Sequence, residues 1–237
     1  MGKIKHGAPQ GSILGLCSFN LYKLFSEYNS RSIETILFAH DPSIIITNLI
    51  SSEFKEDIKN IIDNINDWFR ENSLSLNFDK TYFLPFMPKN SHEINIKVRC
   101  DNKLIKNTQN TKFLGLAIDS SLSWKDHIDE IMIKLSRACY AVRCVQHFMS
   151  QGMLRTISFS YFHYILLYSI IWWGNSAYSS DIFKICKRII RIIMNARNRD
   201  SCHQVFKNLK IIPFKSQWFF FSFYYLLPKI EIYMNQI

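Results

Sequence analysis

A single carboxylate stands between two apolar runs in the first quarter of the chain. Residues 36–39 (ILFA) and 44–47 (IIIT) are rich in β-branched and aromatic side chains and are too short for ordinary helices, so they predict two buried strands. His40 and Asp41 then form the turn, which Pro42 tolerates because a turn needs no N–H at that position. Asp41 is therefore offered at the tip of a hairpin, either as a functional carboxylate or as an ordinary turn former.

Positive charge is the second feature that could serve a binding function. The chain carries a formal net charge of +10 with a pI near 9.3, and residues 184–199 contain six Lys or Arg and no acidic residue. An excess of this kind favours an acidic partner, either nucleic acid or an anionic surface. The same stretch would also suit the solvated face of a helix, and both interpretations stay open at this point.

A glycine-bracketed turn near the N-terminus and a lone lysine farther along the chain are the next positions to consider. Gly7 and Gly11 bracket a turn that contains Pro9 and Gln10, and Ser12 can cap an apolar helix that follows, so small residues stand before a helix N-terminus. Such a terminus suits a phosphate or sugar backbone. Lys80 lies where a helical and a strand periodicity meet, a place where a lone lysine is usually exposed to solvent.

The elements that must position these residues begin with a helix behind the hairpin. Apolar side chains recur at three- and four-residue steps from Phe54 to Phe69, with Ser51 or Ser52 as the cap and acidic residues in the first turn. This helix should cover the hairpin, because it has one wide apolar face and no other sheet nearby.

Short strands and then helices are predicted for the rest of the chain. Residues 92–98 and 103–107 alternate around a turn and predict a second hairpin, and residues 111–119 predict one more strand, in which Gly115 marks a bulge or a close backbone approach. A capping-box pattern at residues 123–126 begins a helix to about Phe148. The remaining predicted helices cover residues 153–177, 181–196 and 216–237.

Composition sets the class and the compartment. With 237 residues, 48% hydrophobic and 20% charged, the chain is predicted to be globular. The aromatic runs at residues 161–173 and 218–227 are shorter than the roughly 20 residues that span a bilayer, so both are predicted to be buried helices rather than membrane segments. Six widely spaced cysteines without a CxxC pair indicate free thiols, and the N-terminus has no apolar signal region. We expect an intracellular protein, cytoplasmic or nuclear.

Five motifs in order resemble one family. They are GAPQGSILG at residues 7–15, FAHD at 38–41, WFRENSLSLNFDKT at 68–81, KFLGLAID at 112–119 and LSWKDHI at 122–128. Together they look like the reverse transcriptase of non-LTR retrotransposons of the jockey-like kind, an RNA-directed DNA polymerase. The resemblance is close to about residue 148 and loose beyond it.

The resemblance implies an α+β fold, a truncated right-hand polymerase palm of antiparallel hairpins with packed helices, followed by a mostly helical thumb and C-terminal region. It divides the chain into a partial palm (1–90), primer-grip-like strands (91–121) and helical thumb and C-terminal helices (122–237). The implied partners are an RNA template, a DNA primer and deoxynucleotides, with no membrane.

The resemblance assigns the family's nucleotide- and nucleic-acid-binding roles to particular residues of this sequence. Pro9, Gln10 and Gly11 match the loop that contacts template and incoming nucleotide, and Lys80 matches the palm lysine near the triphosphate. Phe113, Leu114 and Gly115 match the primer-grip strand, and Trp124 and His127 match the start of the thumb. The basic residues expected to track the nucleic-acid backbone are Lys134, Arg137, Arg143, Lys187, Arg188 and Arg191.

The metal site departs from the family pattern. Such polymerases hold two Mg²⁺ ions with aspartates, and two of these normally stand together at the hairpin. Asp41 matches the second and is a weak metal ligand by itself, whereas His40 occupies the first position, and His is a poor ligand for Mg²⁺, which prefers hard oxygens. The strand with the other catalytic aspartate should precede Gly7, where only six residues stand. We therefore expect Mg²⁺ not to bind competently and the chain to be an inactive fragment.

Two alternatives to a polymerase fragment stay open. The chain could be a non-catalytic RNA- or DNA-binding module that uses the basic thumb and C-terminal helices. It could instead be a helical interaction module that pairs with another chain, for example a complementing polymerase chain. Self-association would be the signature of the second alternative.

Overall fold

The computed structural model of the protein describes residues 33–38, 41–47, 54–71, 76–86, 98–100, 103–197 and 199–234. Within them the chain is mixed helix and strand with short two-stranded sheets, as expected for the α+β class. It divides into two compact units: Met1–Phe83 with Ile94–Lys106, and Leu84–Glu93 with Asn107–Ile237. The three-part palm and thumb division stays a prediction.

The first unit contains the predicted hairpin and its covering helix. Strands β1 (Ile33–Phe38) and β2 (Asp41–Ile46) pair antiparallel. Helix α1 (Phe54–Glu71) follows, and Ile44 and Ile46 of β2 pack against its buried side chains. The antiparallel hairpin and its packing against α1 are confirmed, but the strands are not buried as predicted, because their described side chains are half-buried or exposed. Asp41 and Pro42 belong to β2 rather than to the turn. Pro42 is tolerated there because the described sheet has two strands, each with a free edge.

Four shorter strands follow α1, and the last of them ends at the boundary between the two units. They are β3 (Tyr82–Phe83), β4 (Arg99–Cys100), β5 (Lys103–Leu104) and β6 (Lys106–Asn107). β4 pairs antiparallel with β5, and the Ile105 N–H donates to the Val98 carbonyl over 2.9 Å. The predicted second hairpin is confirmed at this end, and residues 92–97 lie outside the described part of the chain.

The predicted single strand at residues 111–119 is wrong. The segment is a hairpin of β7 (Asn110–Phe113) and β8 (Leu116–Asp119), with Leu114 and Gly115 as its two-residue turn. Both turn residues have positive φ, 48° and 79°. These angles define the tight turn that matches the right-handed twist of a hairpin. The glycine therefore reverses the chain rather than marking a bulge within one strand.

The second unit is mainly helical. Its helices are α2 (Lys125–Val145), α3 (Gln151–Ile157), a π-helix (Ser158–His163), α4 (Tyr164–Leu167), α5 (Ile170–Trp173), α6 (Ser179–Met194), α7 (Cys202–Leu209) and α8 (Phe214–Met234). The predicted continuous helix at residues 153–177 is wrong, because the helix widens at the π-helix and breaks at Ser169, which has a φ of 53°. Helix α7 was not predicted.

The second core lies between α2 and α6. Leu135, Ala138 and Val142 of α2 pack in one cluster with Ile182 and Ile189 of α6, all at most 1% exposed. Within the described residues, no helix is long and apolar enough to cross a membrane.

The two aromatic runs are not fully buried, contrary to the prediction. Residues 161–173 bury one side, which includes Phe162 and Trp173, and expose the other, which includes Tyr164 and Trp172. Most of residues 218–226 face solvent, on the outer side of α8.

Candidate nucleic-acid interface

Four basic side chains form a stripe along α6. Lys184, Lys187, Arg188 and Arg191 follow one another at steps of three, one and three residues, which places them on one side of a helix. The opposite side is buried through Ile182, Ile185, Ile189 and Ile193. Amphipathic packing therefore fixes the direction in which the basic side points. We call these four residues the α6 stripe.

The α6 stripe is only partly neutralised. Lys184 Nζ donates to an Asp181 oxygen over 2.6 Å, and this pair is exposed, so it contributes little to stability. Lys187 Nζ lies over the Phe183 ring at 4.3 Å. Arg188 makes no ion pair with any residue in the described part of the chain. Three of the four cations thus lack a carboxylate partner there.

Arg143 of α2 joins the α6 stripe. Cys139 of α2 is buried against α6, and burial raises its thiol pKa to about 11, while the Arg188 and Arg143 guanidinium groups partly oppose that rise. Arg143 follows Cys139 by one helical turn, so it projects from the same flank of α2 as this buried residue. Arg143 is exposed and, like Arg188, has no carboxylate partner among the described residues. The interface thus combines two helices.

Lys134 lies on a different flank of α2. Its charge affects His127, whose pKa is lowered overall. Burial is the main cause, the positive charges of Lys134 and Lys112 add to the lowering, and the negative charge of Glu130 opposes it. Lys112 of β7 forms an ion pair of 2.9 Å with Glu130. Lys134 thus belongs with the β7–β8 hairpin, whereas Arg143 belongs with α6. The six predicted backbone-tracking residues do not form one surface, and Arg137 stands exposed on α2 between these two flanks.

The start of α2 depends on a carboxylate that the sequence did not single out. Asp119, at the end of β8, accepts hydrogen bonds from the Ser123 and Trp124 N–H groups, each over 2.9 Å, and from the Ser121 hydroxyl over 2.5 Å. Burial raises its pKa, but these hydrogen bonds together outweigh that effect and lower the pKa to about 2. Asp119 thus fixes the two residues that precede α2, and the Ser123 hydroxyl oxygen accepts the Lys125 N–H over 3.3 Å. The capping box predicted within residues 123–126 does not form, since Trp124 is the N-cap residue and makes no side-chain cap bond.

His127 ties α2 to the same hairpin. Its Nδ1 accepts the Ala117 N–H over 3.2 Å, so the ring proton of the neutral form is on Nε2. The imidazole is 3% exposed, and Nε2 has no hydrogen-bond partner among the residues that the structure describes. Trp124 and Trp173 approach the ring edge-on, each at 6.1 Å between ring centroids. His127 is therefore a packing and positioning residue of the helix that carries Arg143.

The predicted primer-grip residues form the tip of the β7–β8 hairpin. Phe113 ends β7, and Leu114 and Gly115 are the exposed turn. The Tyr168 hydroxyl donates to the Leu114 carbonyl, which anchors the tip to the helical break at residues 168–169. The structure thus fixes the tip within the helical unit, and its role in gripping a primer stays a prediction.

The remaining predicted residues lie in the first unit or outside the described residues. Asp41 opens β2 and pairs with Phe38, the last pair before the turn. Lys80 is exposed in a turn at residues 78–80, where its N–H donates to the Asn77 carbonyl over 3.1 Å. Pro9, Gln10, Gly11 and His40 are not among the described residues.

The donor set does not fit a divalent metal in the part of the chain that the structure describes. No group of three or more His, Cys, Asp or Glu side chains there could hold a metal ion. Mg²⁺ needs near-octahedral oxygen coordination, and a single carboxylate such as Asp41 supplies too few protein ligands.

Comparison of the chain with family models, with curated proteins and with solved structures gives no match. A function can therefore be proposed only from the residues of the chain and their geometry.

Proposed function

We propose that the protein is a reverse-transcriptase-like palm and thumb segment that binds nucleic acid through the phosphate backbone and does not polymerise. One observation carries the binding proposal: the α6 stripe and Arg143 supply five cations from two helices that share a buried core, and among the described residues only Lys184 has a carboxylate partner. Cations on packed helices are held at fixed spacing, which suits a regular array of phosphates.

The polymerase-like part of the proposal is supported by the β1–β2 hairpin. The family resemblance requires a buried hairpin with its carboxylates at the turn, backed by an amphipathic helix. Here Asp41 stands at the turn end of β2, and Ile58, Trp68 and Phe69 of α1 pack with Ile44 and Ile46 of β2. The hairpin and its backing helix agree with the family pattern, whereas the described side chains of the hairpin are half-buried or exposed rather than buried.

The absence of polymerisation is proposed from chemistry at one position. The family's first aspartate is His40 in this sequence, and an imidazole is a poor replacement for a carboxylate toward Mg²⁺. We expect no primer extension by the chain. Extension that requires Mg²⁺ and is lost in Asp41→Asn would contradict this part of the proposal without affecting the binding part.

The binding part is tested by removing one cation from each helix, Arg143 from α2 and Arg188 from α6. The affinity of Arg143→Gln/Arg188→Gln for a fluorescent single-stranded RNA of about 20 nucleotides should fall by roughly tenfold or more at low salt, since each lost phosphate contact removes a counterion-release contribution. Fluorescence anisotropy gives the dissociation constant.

The matched control removes the same charge from another surface of the same unit. Lys207 and Lys210 are exposed at the end of α7, and Lys207→Gln/Lys210→Gln also lowers the net charge by two. We expect this variant to lose clearly less affinity than the arginine variant. Equal losses would indicate binding to general positive charge and would contradict an interface at α6 and Arg143.

A further inference from the structure

Helix α8 has one side fixed in the core and one apolar side open. Phe214 and Gln217 on its inner side are buried, and Trp218 packs against the core cluster of the second unit. The Trp218 Nε1–H donates to the Ile171 carbonyl over 3.3 Å, and Gly174 leaves room for the indole ring. The inner side therefore holds the helix in place, and the direction of its outer side is set.

The outer side of α8 is almost entirely aromatic. Its members, which we call the α8 aromatic face, are exposed by the following fractions: Phe219 65%, Phe220 57%, Phe223 55%, Tyr224 70% and Leu226 51%. The Phe219 and Phe223 rings lie nearly parallel, with centroids 6.3 Å apart. A helix that is apolar all round is normally covered on all sides, and no part of the chain that the structure describes covers this face.

Charge decides which partner fits. Among residues 214–228 the only charged side chain is Lys215. The α8 aromatic face therefore offers no row of cations to phosphates or to anionic lipid headgroups, and it carries nothing that would repel an identical uncharged face. The same face on a second copy of the chain is complementary to it in both polarity and charge.

The size of the face agrees with such a contact. A large side chain has an accessible area of about 200 Å², so the exposed fractions of the five residues correspond to roughly 500–600 Å² of exposed surface per copy. A standard protein interface buries about 800 Å² per partner. The face thus supplies most of the apolar surface that a modest dimer needs, and rim residues can supply the remainder.

We propose that two copies of the chain associate through the α8 aromatic face, related by a two-fold axis so that the same residues meet on both sides. Such a contact stops at two copies, because the dimer buries the same face on both and leaves none exposed for a third. The face does not include Arg143 or the α6 stripe, so the proposal stands independently of nucleic-acid binding.

Sedimentation velocity of the whole chain without nucleic acid tests the dimer. We expect a monomer–dimer equilibrium across about 1–100 µM, because the face is smaller than a standard interface and weak, transient complexes are typical of that size. Phe219→Glu/Phe223→Glu should be monomeric over that range, and Phe219→Ser/Phe223→Ser should be shifted toward monomer. Circular dichroism checks that both variants keep their helix content.

The matched control is Phe148→Glu, which changes an 85% exposed aromatic residue beyond the end of α2. This variant should dimerise like the unaltered chain. The proposal is overturned by a chain that is monomeric at 100 µM, by dimers that survive both changes at α8, or by equal dissociation of the Phe148 variant. A monomer that pellets with phosphatidylserine vesicles through Phe219 and Phe223 would overturn it in favour of a lipid surface.

Discussion

Asp119 shows how one side chain can fix the start of the helix that carries Arg143, a residue of the proposed interface. Its carboxylate accepts three hydrogen bonds at the start of α2, and Arg143 lies near the other end of that helix. We expect Asp119→Asn to lower the free energy of unfolding by about 1–2 kcal/mol at pH 7, because an amide can accept at only one of its two polar atoms. Urea unfolding measures the difference, and Asp129→Asn, an exposed change on the same helix, should cost clearly less.

The contribution of Asp119 should also depend on pH. Its pKa is lowered from 3.8 to about 2 in the folded chain, so its stabilisation is fully present above about pH 4 and is lost as the pH falls toward 2. The stability difference between the unaltered chain and Asp119→Asn should therefore shrink between pH 5 and pH 2. A difference that stays constant over this range would show that the charge of Asp119 does not stabilise the fold.

His127 should make the fold sensitive to mild acid. Protonation of Nδ1 would place a donor against the Ala117 N–H, and burial already lowers the pKa of the ring. Because the pKa of His127 is lower in the folded chain than in the unfolded chain, its contribution to stability is fully present above about pH 6.5. The free energy of unfolding then falls as the pH drops below that value. We expect His127→Gln, which can still accept the Ala117 N–H, to lose less stability between pH 8 and pH 5 than the unaltered chain.

The exposed His147 provides the control for this measurement. His147→Gln should keep the full loss of stability in acid, as measured by urea unfolding at both pH values. If His127→Gln kept the full loss as well, the acid sensitivity would have to come from another group, such as the buried His163, whose pKa is also lowered by burial.

At the scale of elements, the turn of the β7–β8 hairpin makes a sharp prediction. Gly115 has a φ of 79°, and Ala in a left-handed conformation costs about 1–2 kcal/mol, so Gly115→Ala should destabilise the fold by about that much. Leu114→Asn should raise the melting temperature, because Asn-Gly is favoured in this turn type. Thermal unfolding followed by circular dichroism compares the two, and a melting temperature that falls in both would contradict the turn assignment.

Elements whose pattern is local could be predicted from the sequence. The β1–β2 hairpin, α1 and the basic side of α6 each depend on the periodicity of one short segment, and all three were predicted in place. The turn at Leu114 was not predicted, because a leucine with positive φ is rare. Without that turn, the pattern of residues 111–119 predicts one longer strand.

Features that depend on tertiary packing could not be predicted. Asp119 is four or five residues from the backbone groups that it binds, and local cap patterns do not extend that far. Likewise, Lys134 and Arg143 both looked exposed on one helix, and only the packing of α6 and β7 against α2 separates them. Sequence hydropathy also could not tell that one side of α8 stays open, because the apolar residues surround that helix.

At the scale of the whole molecule, two surfaces of the helical unit have contrasting chemistry. The α6 stripe with Arg143 is basic, and the α8 aromatic face is uncharged, so we expect binding of nucleic acid and self-association to respond differently to salt. Raising NaCl from 50 to 500 mM should weaken nucleic-acid binding strongly and leave the sedimentation of the free chain nearly unchanged. Loss of the dimer at high salt would indicate a charged interface instead.

The salt dependence of nucleic-acid affinity tests the central claim most directly. If Arg143 and the α6 stripe contact three to five phosphates of a single strand, a plot of log affinity against log salt should be linear with a slope of about −2 to −3.5. Anisotropy titrations of the unaltered chain between 50 and 300 mM NaCl measure this slope, and the Arg143→Gln/Arg188→Gln variant should make it shallower. A slope near zero, or no binding at 50 mM NaCl, would contradict the account.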